Sequence, residues 1–228
     1  EPTDIRNTDC LVLVGSHLGE NMHNSQVQEF AQAVERRASV IVVDPRFSVA
    51  ASKAKYWLPV KPGTDLALIM AWCNLLVQEG RYDKAFVAQH GHGFDKFVEA
   101  IKGNTVEWAA EQCDVSPELI VAAAREMASH RPATIVHPGR RVNWYGDDTQ
   151  RSRGIALLNA LLGNYGRKGG LYVAQGISMA PYGLNKYPEH ARHRLDGAEA
   201  DRYPFADEGI TTSIRDATVS GKPYPIKG

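Results

Sequence analysis

Two acidic side chains lie where an apolar segment gives way to a loop. Asp44 follows a run of four apolar residues, and Arg46 comes two positions later. Asp65 closes a second loop, which contains Pro62 and Gly63 and precedes another apolar stretch. An acid at the end of a buried strand accepts hydrogen bonds from ribose hydroxyls, and an arginine beside it can neutralise phosphate or stack on a base. A carboxylate at Asp65 can accept two N–H bonds from the edge of guanine. The pair suggests a polar ligand between the two loops.

Both acids also have a purely structural interpretation. Asp44 and Arg46 are compatible with a surface turn. Thr64 or Asp65 can instead cap the helix that follows, because a short polar side chain or an acid stabilises a helix N-terminus. The residues of these two loops leave both interpretations open.

Two further loops carry residues suited to binding an anion. The segment from Gly15 to Asn21 follows an apolar run, and its glycines allow close approach of the backbone to a phosphate. It lacks G-x-G-x-x-G, so a tight turn explains it equally well. Arg140 and Arg141 follow a later apolar run and could bind an oxyanion or form a solvated turn.

The elements that must position these loops follow from periodicity. Apolar runs predict buried strands over 10–14, 40–44 and 133–137, with a short strand over 56–60. Helical spacing predicts helices over 25–37, 65–78, 83–89, 94–101, 106–112, 117–129 and 148–162. Strand, helix and strand in sequence predict an α/β, Rossmann-like three-layer domain with a parallel sheet over 1–172. Residues 173–228, rich in Pro and Gly, predict an irregular arm.

Composition narrows the function classes. The chain has 228 residues, 43% of them hydrophobic, and its 26 basic and 26 acidic side chains balance, which gives no electrostatic case for nucleic acid. No stretch is long and apolar enough for direct membrane insertion. Cys10, Cys73 and Cys113 form no C-x-x-C, so neither a zinc ribbon nor a local iron–sulfur site is expected. His90 and His92 have no recognisable metal-binding partners, so no metal ligand is predicted.

Taken in order, the four loops resemble one family. They read V-G-S-H-L-G-E-N from Val14, V-V-D-P-R-F-S from Val42 and W-L-P-V-K-P-G-T-D-L-A-L from Trp57. The fourth loop and the helix after it read H-P-G-R-R-V-N-W-Y-G-D-D-T-Q-R-S-R-G-I-A-L-L-N-A-L-L-G-N-Y-G-R-K-G-G from His137. The series is similar to the nucleotide-binding domain of molybdopterin oxidoreductases, the DMSO-reductase superfamily, over residues 8–172. Residues 137–170 are most similar to the catalytic subunits of polysulfide and thiosulfate reductases.

The resemblance implies a bis(molybdopterin guanine dinucleotide) cofactor with molybdenum, whose guanosine diphosphate end this domain holds. It implies a pyrophosphate site at Val14, Gly15, Ser16, His17, Glu20 and Asn21. It implies contacts to ribose or guanine from Val43, Asp44, Pro45, Arg46 and Phe47, and to the guanine edge from Pro62, Gly63 and Asp65. Pro138 and Gly139 are expected nearer the pterin, and Arg140 or Arg141 near an anionic sulfur substrate. His17 stands where family members often have Asn.

The resemblance also implies a larger catalytic subunit, of which the chain is expected to be a fragment that is inactive alone. That subunit is expected to carry a 4Fe-4S cluster not ligated by this chain, and to work in the periplasm with an iron–sulfur electron-transfer subunit and a membrane anchor subunit. Three alternatives stay open: a tetrathionate, arsenate or dimethyl sulfoxide reductase on the same scaffold, a stand-alone nucleotide-binding module without redox activity, and an NADP-dependent dehydrogenase. The last lacks G-x-G-x-x-G and a catalytic acid.

Overall fold

Four short strands form one parallel sheet. The computed structural model describes residues 3–16, 18–20, 24–137, 139, 148–173 and 211–226. The strands are β1 (Cys10–Val14), β2 (Ser39–Val43), β3 (Tyr56–Leu58) and β4 (Thr134–His137). Every residue of β1, β2 and β4 is buried, as expected for parallel strands covered on both faces.

Eight α-helices are described. They are α1 (Asn24–Glu35), α2 (Asp65–Gln78), α3 (Lys84–His90), α4 (Phe94–Ile101), α5 (Val106–Cys113), α6 (Pro117–Ser129), α7 (Asp148–Leu162) and α8 (Thr211–Ser220). Short 3-10 helices cover Ile5–Asn7 and Ala51–Lys53. None of the helices in the described ranges is both long and apolar enough to cross a membrane.

Alternate side chains of the strands enter two separate cores. Leu11, Leu13 and Val42 pack with Phe30 and Ala33 of α1 on one face of the sheet. The other face packs against α2 and α4–α7, with Val12, Val14, Ile41, Val43 and Val136 from the strands. Helix, sheet and helix therefore form three layers, which confirms the predicted Rossmann-like α/β fold.

The strand order reverses next to β1. The sheet runs β3-β2-β1-β4, so the chain steps outward from β1 to β3 and then returns to the other side of β1. In open α/β sheets, ligands bind outside the carboxyl ends of the strands at such a switch point. Val14 pairs with Val43, and Leu13 with His137, so the loops after three strands begin at the same edge.

Polar side chains at the end of α7 and just after it complete the backbone bonding of β4, which is an edge strand among the described residues. The Asn159 amide accepts the N–H of Val136 at 3.0 Å and donates to its carbonyl at 2.8 Å. Asn164 donates to Asn159 at 2.6 Å and also to the carbonyl of Thr134. These side-chain amides pair backbone N–H and carbonyl groups of β4 that a neighbouring strand would otherwise pair.

Most predicted elements are confirmed, with shifts at their ends. The strand 10–14 and the helices 65–78, 94–101, 117–129 and 148–162 have the predicted bounds. β3 stops at Leu58 rather than Val60, because Pro59 has no N–H and Val60 donates to Leu58. α3 begins one residue late because the Asp83 carboxylate accepts the N–H of Phe86 at 2.9 Å, which makes Asp83 its N-cap.

The last quarter of the chain contains a helix that its composition did not predict. α8 lies within the stretch expected to be an irregular arm. The chain divides into two compact units, Glu1–Gly176 and Ile177–Gly228. The predicted domain boundary after residue 172 stays a prediction.

Candidate functional site

The loops after β1 and β4 touch at the switch point. Gly15 has a φ of 55°, and its N–H donates to the carbonyl of Val43 at 2.9 Å. A Cβ atom on Gly139 would lie 2.5 Å from the carbonyl oxygen of Val14 and 3.7 Å from the side chain of Ser16. Only glycine fits at that distance, so a bare backbone lines the junction of the first and fourth predicted loops.

Glu20 ties the first loop to the second. Its carboxylate accepts a hydrogen bond from the Arg46 guanidinium at 2.6 Å and from the N–H of Val49 at 3.1 Å. The hydrogen bond and charge of Glu20 raise the pKa of Arg46. The sequence predicted both residues as cofactor contacts, and the structure pairs them with each other.

Asp44 is held rigidly under the second loop. Its carboxylate accepts the N–H of Arg46 at 2.8 Å, and its main-chain oxygen accepts the indole N–H of Trp57 at 2.8 Å. Only 6% of Asp44 is exposed. The simple surface turn considered from the sequence is therefore wrong, because Asp44 is buried and its backbone is anchored to β3.

An exposed aromatic side chain follows Asp44. Phe47 stands edge-on to Trp57, with ring centroids 4.9 Å apart and planes at 74°. Although Phe47 makes this contact, 60% of it is exposed. It offers an apolar face beside a buried carboxylate, which suits the contact surface of a planar heterocycle.

Asp65 lies at the N-terminus of α2 against α7. Its Oδ2 is 3.6 Å from Nη1 of Arg151, and only 15% and 10% of the two side chains are exposed. Burial raises the pKa of Asp65, Arg151 counteracts part of that rise, and the charge of Asp44 adds to it. The two acids singled out in the sequence therefore lie within electrostatic reach of each other.

Thr64 does not cap α2, whereas Asp65 lies in the first turn of α2, where an acid stabilises a helix N-terminus. The Thr64 hydroxyl donates to the carbonyl of Lys61 at 2.6 Å and makes no capping bond to α2. Gly63 has a φ of 86°, and nothing lies within 4 Å of the position a Cβ would take. The loop thus presents open backbone next to a largely buried carboxylate.

The structure brings together most of the predicted site. Val14, Gly15, Ser16 and Gly139 meet at the switch point, and Glu20, Asp44 and Arg46 form the adjoining wall. Pro45 of the second loop and Pro62 of the third loop are exposed. His17, Asn21, Pro138, Arg140 and Arg141 lie outside the described residues.

Sequence reasoning missed Trp57 and Arg151. Trp57 sits inside a short strand, where an aromatic residue needs no functional explanation. Arg151 is 86 positions beyond Asp65 in the numbering, in a helix that only the folded structure brings against α2. The one available signal was a charged residue in the first turn of a predicted apolar helix.

No metal-binding group is formed by the part of the chain that the structure describes. It contains no cluster of three or more His, Cys, Asp or Glu side chains placed to hold an ion. Cys10, Cys73 and Cys113 are buried free thiols, and burial raises the pKa of each. Neutral thiols of this kind are poor metal ligands.

Comparison with known proteins gives the same family for sequence and fold. Residues 1–196 match the family model described as molybdopterin oxidoreductase. The thiosulfate reductase molybdopterin-containing subunit PhsA of Salmonella typhimurium is 37% identical, covering 98% of this chain and 31% of that protein. The arsenate respiratory reductase molybdopterin-containing subunit ArrA of Chrysiogenes arsenatis is 27% identical, covering 86% of this chain and 27% of that protein.

A solved structure agrees. Acetylene hydratase from Pelobacter acetylenicus superimposes with a TM-score of 0.68 at 27% identity, over 72% of this chain and 22% of that one. The chain spans less than a third of the length of each of these relatives. Because the family model covers most of the sequence, the chain belongs to the molybdopterin oxidoreductase family.

Proposed function

We propose that the chain binds the guanosine diphosphate end of a molybdopterin guanine dinucleotide, as one part of a larger molybdenum-dependent reductase subunit. One observation carries the proposal. Two buried or largely buried carboxylates, Asp44 after β2 and Asp65 in the first turn of α2, accompany a junction at the carboxyl edge of the sheet that only glycine backbone can form.

The described residues fit such a group. A diphosphate has to approach the backbone closely, and the contact between Gly139 and Val14 leaves a backbone without side chains at the switch point. Arg46, already charged and held by Glu20, supplies a cation at the adjoining wall. Asp44 suits the ribose hydroxyls, as acids do at the ends of second strands.

In this proposal, the loop that ends in Asp65 binds the guanine base. A carboxylate accepts hydrogen bonds from the ring N–H and the amino group of guanine, whereas adenine presents no matching pair of donors. Gly63 leaves space for the base at this loop, and Phe47 offers an apolar face. The bound group supplies two-electron chemistry at molybdenum, and this chain contributes binding and orientation.

For the substrate we propose an oxidised sulfur anion such as thiosulfate or polysulfide. The support is the 37% identity to a thiosulfate reductase subunit over nearly the whole chain. Relatives named as arsenate and dimethyl sulfoxide reductases keep those substrates as alternatives. Turnover by the larger subunit of thiosulfate, polysulfide, tetrathionate, arsenate and dimethyl sulfoxide separates them.

The remaining proposals concern the larger assembly. We propose that the rest of the catalytic subunit carries a 4Fe-4S cluster and completes a bis(molybdopterin guanine dinucleotide) site. An iron–sulfur subunit and a membrane anchor subunit are the proposed partners, and the periplasm is the proposed compartment. Co-purification of the tagged larger subunit from fractionated cells tests all three, and isolation of a lone cytoplasmic subunit would contradict them.

The nucleotide proposal is tested by calorimetry on the full chain with GDP, IDP and ADP. We expect GDP to bind more tightly than IDP, which lacks the amino group, and more tightly than ADP, by about 1–3 kcal/mol. Asp65→Asn should abolish the preference, because an amide has one acceptor oxygen and turns two donors toward the base. Asp95→Asn is the matched control, since Asp95 is an exposed acid in the first turn of α4.

Three outcomes would contradict the proposal. Equal affinity for GDP and ADP would remove the role of Asp65 in reading the base. A preference for GDP that survives in Asp65→Asn would place guanine recognition elsewhere in the chain. Binding of NADPH in preference to GDP would instead favour a dehydrogenase.

A further inference from the structure

We propose that Arg151 is a positioning residue for guanine recognition: it holds the Asp65 carboxylate ionised and oriented toward the base. The inference rests on the proposed function, since it assigns to Asp65 the role of guanine acceptor. It gives a role to Arg151 of α7, a residue to which the sequence motifs assigned none.

The first support is the burial of the pair. Only 8% of Arg151 is exposed, although arginine is among the residues that most often lie at the surface. Its guanidinium reaches to 3.6 Å from the Asp65 carboxylate. A buried guanidinium is stabilised by paired acceptors, and the Asp65 carboxylate is one such acceptor.

The second support is the packing that brings α7 to this position. Gly154 lies three residues after Arg151, on the same side of the helix. A Cβ on Gly154 would lie 3.1 Å from Leu66, 3.1 Å from Met70 and 3.3 Å from Ile69. The absence of a side chain at Gly154 lets α7 approach the first turns of α2. That approach sets the distance between Arg151 and Asp65.

The third support is the charge around Asp65. The described groups that face it are Arg151 from α7, Asp44 from the end of β2 and Cys113 from the end of α5. The Cys113 thiol, which donates to the carbonyl of Thr64 at 3.4 Å, is neutral because burial raises its pKa. Asp44 repels a second negative charge. The backbone N–H of Asp65 favours the ionised carboxylate, and among these side chains Arg151 is the one that favours it.

Ionisation matters because of what guanine presents. A carboxylate anion accepts hydrogen bonds from both N–H groups of guanine. The protonated acid carries an O–H donor that faces one of these N–H donors, so one of the two hydrogen bonds is lost. Burial already raises the pKa of Asp65. Without Arg151 that pKa rises further, and the affinity for GDP is lost as the pH falls through it. In this proposal, Asp65 of α2 contacts the base, and Arg151 of α7 keeps the Asp65 carboxylate ionised.

The test compares Arg151→Met and Arg151→Lys in the full chain. The carboxyl carbon of Asp65 is followed by NMR from acid to neutral pH, and GDP affinity is measured over the same range. In Arg151→Met we expect the Asp65 titration to move to higher pH and GDP to bind about tenfold more weakly near neutrality. Arg151→Lys, which keeps the charge, should restore most of the titration and less of the affinity, because the forked geometry is lost.

Arg125→Met is the matched control. Arg125 is a half-exposed arginine of α6 that donates at 2.6 Å to Glu79, the residue after α2. Its loss removes an ion pair at the end of that helix opposite Asp65. It should change neither readout. If Arg151→Met does not fold, Gly154→Ala serves instead: it moves α7 away from α2 and should shift the Asp65 titration in the same direction by a smaller amount.

The outcomes separate the two proposals. Failure of the unaltered chain to prefer GDP overturns the proposed function and the guanine role of Arg151 with it. A clear GDP preference, with an Asp65 titration unmoved in Arg151→Met or in Gly154→Ala, overturns the role of Arg151 alone. A shifted titration with unchanged GDP affinity at every pH also overturns it, because the pair would then be structural.

Discussion

At the scale of single residues, the site is built on positions where a side chain is either excluded or buried. The carbonyl of Val14 leaves no room for a side chain at Gly139. The carboxylates of Asp44 and Asp65 are buried or largely buried. Burial makes each carboxylate sensitive to one partner, because electrostatic interactions strengthen as water is removed. Small changes at these positions should therefore have larger effects than the same changes elsewhere.

Gly139→Ala tests the close contact between the first and fourth loops. A methyl group 2.5 Å from the carbonyl oxygen of Val14 must displace backbone, not a flexible side chain. We expect the free energy of unfolding to fall by about 1–3 kcal/mol and GDP binding to weaken, measured by urea denaturation and calorimetry. Gly103→Ala is the control, since nothing lies within 4 Å of its Cβ position. Equal stability of the two variants would show that the loops are not in contact.

The acids of the site were predictable from sequence, and their partners were not. Asp44 and Asp65 each follow a recognisable strand or loop signal. Arg151 and Trp57 acquire their roles only through contacts between elements distant in sequence, such as the approach of α7 to α2. Periodicity reports which face of a helix is apolar, but it does not report which other helix that face meets.

At the scale of elements, α7 links the sheet to the site. Its last turns bond to β4 through Asn159, its middle packs on α2 through Gly154, and its first turn brings Arg151 to Asp65. The bounds of α7 were predicted from sequence, and Gly163 marks its end. The order of the strands was not predicted, because the return of the chain to the far side of β1 depends on the whole set of helices between β3 and β4.

Asn159→Leu tests the link between α7 and the edge strand. The substitution keeps an apolar side chain of similar length but leaves the N–H and carbonyl of Val136 without the partners they have now. We expect a loss of about 2–4 kcal/mol in the free energy of unfolding, since each buried unpaired group is costly. Gln28→Leu, at an exposed position of α1, is the control and should change the free energy of unfolding by less than about 0.5 kcal/mol. A stable Asn159→Leu would mean that water or a further strand replaces the amide.

At the scale of the whole molecule, membership of the family does not specify which reaction is catalysed. One relative with the same fold is named as a hydratase, and others are named as reductases of thiosulfate and arsenate. A shared scaffold holds a cofactor whose chemistry is set by residues around the metal, and fold alone does not select among them. The shared task that we propose is holding the nucleotide end of the cofactor, at the sheet edge where the loops after three strands begin.

The larger subunit provides the decisive measurement for that shared task. Purified with its cofactor, it should contain molybdenum and release guanine nucleotide on denaturation, measured by elemental analysis and chromatography. Asp65→Ala should lower the retained guanine nucleotide, because the base loses two hydrogen bonds to a charged acceptor and Arg151 loses the carboxylate 3.6 Å away. Asp95→Ala should leave the content unchanged. If Asp65→Ala also retained its full content, the loop from Gly63 to Asp65 would be only the start of a helix, and the two acids would not form one guanosine site.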